Sequence, residues 1–189
     1  KRTKKLPEIT DDEKPFKIPD SWEWVRLGDL STVLNGDRGK NYPGKRYWIN
    51  DGVPFVNAGA LGSKLINKAA LNYISDERFK LLRAGFIKQN DLLYCLRGSL
   101  GKIAISNINK GAIASSLAII RCFDKNMVTY LFWLLKSPIS KQYIKKYENG
   151  TAQPNLSAKS IEKFEVPLPP LAEQKRIVAK IDQLMATIH

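Results

Sequence analysis

A proline-rich segment near the C-terminus divides this chain into two parts that must fold differently. Residues 166–170 read Val-Pro-Leu-Pro-Pro. Proline fixes the dihedral angle φ and has no backbone N–H, so it cannot continue a helix or a central strand. We therefore expect this segment to be stiff and extended. The apolar residues that follow it have helical spacing, which predicts one amphipathic helix from Leu171 to the end.

The apolar stripe of this final helix repeats every seven residues, as in a coiled coil. It covers about two and a half heptads, too few to associate strongly alone. We expect the stripe to pack against another helix, which could lie in the same chain, in a second copy or in a partner subunit. The residues predicted to pack there are Leu171, Ile177, Val178, Ile181, Leu184 and Met185.

Positive charge is concentrated in the part of the chain that precedes the prolines. The 189 residues include 31 Lys and Arg against 18 Asp and Glu, a net charge of +13. Between Arg38 and Lys146 there are 19 basic and 5 acidic residues, whereas the rest of the chain holds 12 basic and 13 acidic residues. Because both ends are balanced, the excess indicates a central domain that binds a polyanion rather than general solubility.

Side chains suited to catalysis are scarce. The only His is His189, and the only cysteines are Cys95 and Cys122, which leaves no His-based triad and no plausible zinc site. Residues 97–102, Arg-Gly-Ser-Leu-Gly-Lys, lack the first Gly and the Ser or Thr of a phosphate-binding loop. The sequence favours a binding protein over an enzyme, although carboxylate-only chemistry would leave little trace.

Short apolar runs alternate with amphipathic stretches through the basic region, which predicts an α+β fold. No run of 18 apolar residues is present, so we expect no membrane-spanning segment. Ser75 is expected to cap a helix that reaches Ala84. Strands are predicted at residues 22–27, 53–56, 92–96, 102–105 and 112–122, and further helices at 126–136, from Pro138, at 157–164 and from 171.

Four stretches of the sequence, taken together, resemble one protein family. Residues 155–157 read Asn-Leu-Ser, and residues 166–178 read Val-Pro-Leu-Pro-Pro-Leu-Ala-Glu-Gln-Lys-Arg-Ile-Val. Residues 18–30 read Ile-Pro-Asp-Ser-Trp-Glu-Trp-Val-Arg-Leu-Gly-Asp-Leu, and residues 91–102 read Asp-Leu-Leu-Tyr-Cys-Leu-Arg-Gly-Ser-Leu-Gly-Lys. These stretches bracket nearly the whole chain and are similar to the specificity (S) subunit of type I restriction–modification systems.

The resemblance implies a non-catalytic protein that recognises double-stranded DNA. A full S subunit has two recognition domains, each followed by a long helix, and each domain reads one half of a bipartite site. Methyltransferase (M) subunits that dock on it carry S-adenosylmethionine and methylate adenine, while restriction (R) subunits cut. By this resemblance the chain itself holds no cofactor, acts in the prokaryotic cytoplasm, and needs a second recognition domain or a second copy, joined through the C-terminal helix.

The resemblance also divides the chain into three parts. Residues 1–17, with prolines and alternating charge blocks, are predicted to be a linker. Residues 18–166 are predicted to form a globular target recognition domain of the α+β class. Residues 167–189 are predicted to be a proline hinge and the start of a spacer helix, which projects from the domain and is of the coiled-coil type.

Candidate DNA contacts lie in the irregular segments of the basic region. The loop at residues 38–46 is the leading candidate, because Arg and Asn can read base edges and basic side chains neutralise phosphates. A structural reading stays open for every segment: a solvated loop, packing beneath the loop for the aromatic residues, an ordinary turn, or a helix cap. The candidate DNA-binding residues are Arg38, Lys40, Asn41, Tyr42, Lys45, Arg46, Asn57, Ser63, Lys64, Arg97, Ser99, Lys102, Gln153 and Asn155.

Two other classes of function remain compatible with the sequence. A general polyanion-binding or RNA-binding module would account for the concentrated charge equally well. A fragment of a DNA-modifying enzyme, such as a methyltransferase or a nuclease, is the other alternative.

Overall fold

The computed structural model describes residues 5–149 and 153–188, so the ends of the predicted linker and final helix, residues 1–4 and 189, lie outside the described residues. The strands are β1 (Glu23–Arg26), β2 (Ser31–Asn35), β3 (Val53–Val56), β4 (Asn72–Ile74), β5 (Leu92–Cys95), β6 (Ile103–Ile105), β7 (Ala112–Ile113), β8 (Leu117–Cys122) and β9 (Glu165–Leu168). The α-helices are α1 (Leu27–Leu30), α2 (Asp76–Lys80), α3 (Val128–Lys136), α4 (Ile139–Tyr147), α5 (Ala158–Glu162) and α6 (Leu171–Ala186). Helices and strands are mixed along the chain and α6 ends it, which confirms the α+β class predicted from the sequence.

An antiparallel sheet of four strands, in the order β2-β8-β5-β6, lies at the centre of the fold. Successive residues of a strand point to opposite faces of a sheet. In β5, Leu92 and Tyr94 belong to one apolar cluster, whereas Leu93 and Cys95 belong to another. Because both faces of this sheet are covered, the run at residues 92–96 is apolar throughout instead of alternating.

Helices cover one face of the central sheet and a second, smaller sheet covers the other. On the helical side, the buried ring of Phe164 lies 6.3 Å from the ring of Tyr94 in β5 and 5.2 Å from that of Tyr143 in α4. On the opposite side, the three strands β4-β3-β7 contribute Val56 and Ile113 to the second cluster. The polar loops that join these layers are therefore brought to the rim of the domain.

Helix α2 is shorter than the sequence predicted, and the neighbouring loop explains the difference. Ser75 caps the helix as expected, since its hydroxyl accepts a hydrogen bond from the N–H of Arg78 at 3.1 Å. The helix ends at Lys80 rather than at Ala84. The backbone groups that would have continued it bind the loop after β2: the carbonyl of Leu81 accepts from a side-chain amide, and the N–H of Arg83 donates to a carboxylate.

The proline-rich segment forms strand β9, which pairs antiparallel with β1 and places Pro167 opposite Trp24. A two-stranded pair tolerates proline because the missing N–H can face away from the partner strand. The outer edge of β9 is closed by two tyrosines, since the hydroxyls of Tyr130 and Tyr143 donate to the carbonyls of Pro167 and Glu165. The segment is thus extended, as predicted, and is anchored on both sides.

A buried ionic cluster attaches the N-terminal segment to the domain. Arg26, which is only 3% exposed, donates to the carbonyls of Pro7 and Glu8 and to the carboxylates of Glu13 and Glu165. Lys146 of α4 also pairs with both of these glutamates. The described part of the predicted linker is therefore bound to β1 and α4, and Glu165 of β9 belongs to the same ionic cluster.

Helix α6 packs on α3 of the same chain as far as Asp182. Ile177 and Val178 lie against the helical side of the core, and Asp182 accepts hydrogen bonds from Nε1 of Trp133 at 3.0 Å and from Nζ of Lys64 at 2.8 Å. The α6 side chain of Leu184 is 51% exposed. Packing within the chain thus accounts for Ile177 and Val178, whereas the outer side of α6 has no covering element among the described residues.

Candidate nucleic-acid interface

Two of the predicted arginines converge on a single backbone carbonyl. Nη2 of Arg97 donates to the carbonyl oxygen of Ser115, in the loop between β7 and β8, at 2.9 Å, and Nη2 of Arg38 lies 3.4 Å from the same oxygen. Both arginines are exposed. A guanidinium has five N–H donors, so each side chain is held by one contact and keeps most of its donors available.

These arginines line a concave site with a volume of about 320 Å³. Its other polar lining residues come from the end of β2 and from the segment that leads into α5. Among the residues that the structure describes, no Asp or Glu lines the site. Hydrogen-bond donors and positive charge in a concave surface suit a polyanion whose base edges or phosphates can enter it. The polar lining residues are Asn35, Arg38, Arg97, Asn155, Ser157 and Lys159.

The buried carboxylate of Asp37 holds in position the loop at residues 38–46, which we call the basic loop. It accepts hydrogen bonds from the backbone N–H groups of Gly39 at 2.6 Å and Arg83 at 2.7 Å. These bonds, and the nearby guanidinium of Arg83, hold the pKa of Asp37 below its ordinary value despite its burial. Gly36 sits against the backbone after β7, where a Cβ would come within 2.8 Å of the Ala114 carbonyl oxygen. The backbone on both sides of Arg38 is therefore anchored to the rest of the domain.

Aromatic packing supports the same loop from beneath. The ring of Tyr42 lies edge-on to Phe55, with centroids 5.8 Å apart, and its hydroxyl lies 3.4 Å from the N–H of Ser115. Asn41 donates to the carbonyl of Leu81 at 3.3 Å. These contacts support the packing alternative for Tyr42 and give Asn41 a role in joining the loop to α2.

The basic side chains at the tip of the loop are solvent-exposed. Lys40, Lys45 and Arg46 all project from this surface. None of the three forms an ion pair with a carboxylate of residues 5–149 or 153–188. Their charges are thus uncompensated within that part of the protein and add to the field around the cavity.

The predicted residues near β3 make contacts within the protein and do not line this cavity. Asn57 accepts from the N–H of Gly59 at 2.9 Å, and Nζ of Lys102 donates to the carbonyl of Ala58 at 2.9 Å. Lys64 forms its ion pair with Asp182 of α6. The exposed Ser63 accepts from Lys136 through its carbonyl.

The remaining predicted residues shape the turns around the cavity. Ser99 is exposed, and its carbonyl accepts from the N–H of Lys102 at 3.0 Å in the turn between β5 and β6. Asn155 pairs through its backbone with Asn149, and its side-chain amide lies 3.4 Å from the carbonyl of Gln153. Of these three, Asn155 alone lines the cavity, whereas Gln153 and Ser99 lie on neighbouring turns.

Several residues of the site were missed by sequence reasoning. Lys159 faces the cavity from α5, and its only signal was its place two residues after the Ser157 cap. Asn35, the last residue of β2, also lines the cavity and is not among the predicted contacts. Asp37 and Ser115 matter through the backbone groups they bind or present, and such roles leave no composition signal in a single sequence.

A basic α+β domain with a donor-rich concave surface and a C-terminal helix is the class of protein that these observations define. The family model for the type I restriction modification DNA specificity domain matches residues 19–189, and the chain belongs to that family. This membership confirms the family predicted from the sequence motifs.

Curated relatives agree with this assignment. The chain is 30% identical over 204 aligned residues to the type I restriction enzyme EcoAI specificity subunit of Escherichia coli, covering 100% of this chain and 32% of that protein. It is 26% identical to the MjaVIII specificity subunit of Methanocaldococcus jannaschii, covering 92% and 39%. The relatives are named specificity subunits, in agreement with the predicted non-catalytic class. The chain spans about a third of their length.

Solved structures show the same fold. The crystal structure of the HsdS subunit from Thermoanaerobacter tengcongensis superposes with a TM-score of 0.69 at 22% identity, covering 92% of this chain and 40% of that one.

Among residues 5–149 and 153–188, no helix is both long enough and apolar enough to cross a membrane.

Proposed function

We propose that this chain recognises one half of a bipartite double-stranded DNA target in a type I restriction–modification complex. The observation that carries the proposal is the convergence of Arg38 and Arg97 on the Ser115 carbonyl, beside a cavity that these two arginines line and that no described Asp or Glu lines. The family membership of the chain and its concentrated positive charge support the same function.

Direct readout of bases is the role we assign to the cavity. A guanidinium held at one nitrogen can still donate two parallel bonds to O6 and N7 of guanine, and an Asn side chain can pair with N6 and N7 of adenine. Arg38 and Arg97 supply the first chemistry, and Asn35 and Asn155 supply the second. Lys159 and the lysines of the basic loop would neutralise phosphates beside the bases.

Other subunits supply the catalysis in this proposal. M subunits would hold S-adenosylmethionine and methylate adenine, R subunits would join through the complex, and the whole assembly would act on DNA in the prokaryotic cytoplasm. A second recognition domain or a second copy would attach through α6, where Leu171 and Leu184 are exposed. Ile181 and Met185 are half-buried on the same helix and would complete the contact.

The domain boundaries belong to the same proposal. Residues 18–166 would form the target recognition domain, and residues 167–189 would form the hinge and the start of the spacer helix. Residues 1–17 would be a linker, of which the part from residue 5 onwards is bound to the domain through Arg26.

Selection of bound sequences from a pool of random duplexes tests the proposal. The chain, alone and with its M subunits, is expected to enrich one short motif. Arg38→Ala or Arg97→Ala should relax the motif at one or two positions, at a cost of about 1–3 kcal/mol for each lost base contact. Arg176→Ala, which removes an exposed arginine from α6, is the matched control and should leave the motif unchanged.

Three outcomes would contradict this function. Duplex binding with no enriched motif would favour a general polyanion-binding module, and stronger binding to RNA than to the same sequence as duplex DNA would favour an RNA-binding module. Methyl transfer by the chain alone, measured with labelled S-adenosylmethionine, would point to a fragment of a DNA-modifying enzyme.

A further inference from the structure

Two guanidinium groups from separate elements lie against the ring of Tyr47. The ring follows the basic loop, in a short 3-10 helix at Lys45–Tyr47. Cζ of Arg78 lies 3.4 Å from the ring centroid and Cζ of Arg46 lies 4.8 Å from it. A cation near an aromatic ring is attracted by the ring quadrupole, so Tyr47 fixes two charges that would otherwise swing on long side chains.

Neither guanidinium has a carboxylate partner in the part of the chain that the structure describes. Within residues 5–149 and 153–188, no ion pair and no hydrogen bond involves the guanidinium group of Arg46 or Arg78. Arg121 shows the contrasting case, because its Nε and Nη2 both bind the carboxylate of Asp91, at 2.8 and 2.7 Å. Two immobilised, unpaired guanidiniums therefore share one aromatic ring.

This arrangement favours an anion with several oxygen acceptors. Two like charges held near one ring repel each other, and the ring compensates them only in part. The planar fork of a guanidinium matches the geometry of a phosphate group and binds two of its oxygens at once. Lys45 is exposed on the same 3-10 helix and adds positive charge there, whereas on α2 the exposed Lys80 is accompanied by the exposed Glu77.

The basic loop connects the Arg46–Tyr47–Arg78 group to the cavity that Arg38 lines. Asn41 binds the carbonyl of Leu81, just after α2, and Asp37 binds the N–H of Arg83. The loop and α2 therefore hold Arg46 and Arg78 in a fixed relation to Arg38. A duplex that enters the cavity would present its sugar–phosphate backbone beside the bases being read.

We propose that Arg46, Tyr47 and Arg78 form a clamp for a backbone phosphodiester of the bound duplex. The inference rests on the proposed function and deepens it, because it assigns phosphate contact to Arg46 and extends the interface to α2. Tyr47 is a positioning residue in this clamp, and the two guanidiniums bind the phosphate.

Binding of a fluorescent duplex of arbitrary sequence, measured by anisotropy over a series of salt concentrations, tests the clamp. Each phosphate contact on B-DNA contributes about 0.9 to the slope of log K against log salt concentration. Arg46→Ala and Arg78→Ala should each reduce the magnitude of the slope by about that amount, to the same extent on unrelated duplexes. Tyr47→Leu removes the ring that holds both guanidiniums and should weaken binding on unrelated duplexes, and Tyr47→Phe, which restores the ring, should recover most of that loss.

Further variants separate charge from folding. Arg176→Ala removes one exposed positive charge from α6 and should leave the slope unchanged. Arg78→Lys keeps the charge without the planar fork, so it should keep most of the slope and still bind more weakly. Thermal unfolding of each variant, compared with that of the parent, checks that the fold is intact.

Two results would overturn the clamp alone: slopes for Arg46→Ala and Arg78→Ala equal to that for Arg176→Ala, or a loss confined to one base pair, which would mean base readout. In either case Arg38→Ala would still weaken binding, and the proposed function would stand. A parent chain whose duplex binding does not change with salt would overturn both the clamp and the proposed function.

Discussion

At the scale of single residues, a carboxylate organises the basic surface. The negative charge of Asp37 would be repelled by DNA, yet this carboxylate accepts hydrogen bonds from the N–H groups of Gly39 and Arg83. It thereby joins the start of the loop at residues 38–46 to the segment after α2. A buried acceptor of this kind is costly to remove, because the donors it leaves behind lose their partners. The position of Arg38 therefore depends on an acidic neighbour.

Replacing this carboxylate should weaken both stability and binding. We expect Asp37→Ala to lower the free energy of unfolding by about 1–3 kcal/mol, because two backbone donors lose their acceptor. Urea unfolding and duplex affinity, measured side by side, check the expectation. Asp51→Ala is the matched control, since Asp51 is exposed on the following loop. Equal behaviour of the two variants would contradict the anchoring role.

At the scale of elements, the ionic cluster around Arg26 makes attachment of the N-terminal segment dependent on pH. Burial alone would raise the pKa of Glu13, but hydrogen bonds from Arg26, Thr10 and Lys146 outweigh it and lower the pKa to about 2. A depressed carboxyl pKa stabilises the folded state above the unfolded-state pKa. This contribution is lost as pH falls from about 4.5, the ordinary Glu value, towards 2.

The stability difference between the parent chain and Glu13→Gln should therefore depend on acidity. At pH 6 the parent chain should be the more stable of the two, and the difference should shrink as the pH is lowered to 3. Urea unfolding at both pH values measures this difference. Glu8→Gln, at an exposed site whose backbone carbonyl makes the contact to Arg26, is the control and should show no such trend. A difference independent of pH would contradict the ionic role of Glu13.

The elements also show what a single sequence can predict. The apolar run at residues 92–96 predicted β5, and the helical spacing at 126–136 predicted α3, because burial dictates those patterns. The single strand predicted at 112–122 is instead two strands, β7 and β8, separated by residues 114–116. The predicted end of α2 was wrong, because side chains of the basic loop bind the carbonyl of Leu81 and the N–H of Arg83. The meeting of Arg38 with Arg97 was beyond prediction, because it depends on where two irregular loops cross a third.

At the scale of the whole molecule, a net charge of +13 overstates what is available to a partner. Several cations are paired with carboxylates at 2.5–3.2 Å and serve to join elements of the fold. The loop at residues 38–46 and the cavity lined by Arg38 and Arg97, by contrast, hold cations without such partners in the described residues. The paired cations include Arg26, Lys64, Lys110, Arg121 and Lys146.

Lys64 tests this division, because the sequence predicted it to bind DNA and the structure pairs it with Asp182 of α6. Lys64→Gln should leave the salt dependence of duplex binding unchanged. The half-exposed pair should contribute at most about 1 kcal/mol, so the unfolding temperature should fall only slightly. Anisotropy titrations and thermal unfolding measure the two effects, with Lys40→Gln as the unpaired counterpart. A reduced slope of log K against log salt concentration for Lys64→Gln would instead show that this lysine contacts a phosphate.

The pairing of Pro167 with Trp24 and the tyrosine bonds on the other edge of β9 also determine where α6 points. Helix α6 has 16 residues and is therefore about 24 Å long. Its start is positioned by this strand, and its later turns are held through Asp182 by Trp133 of α3 and by Lys64. A change of about 8° in its direction would move the far end by about 3.4 Å, the rise of one base pair. The stiffness of these attachments would therefore limit how accurately the proposed complex could measure distance along DNA.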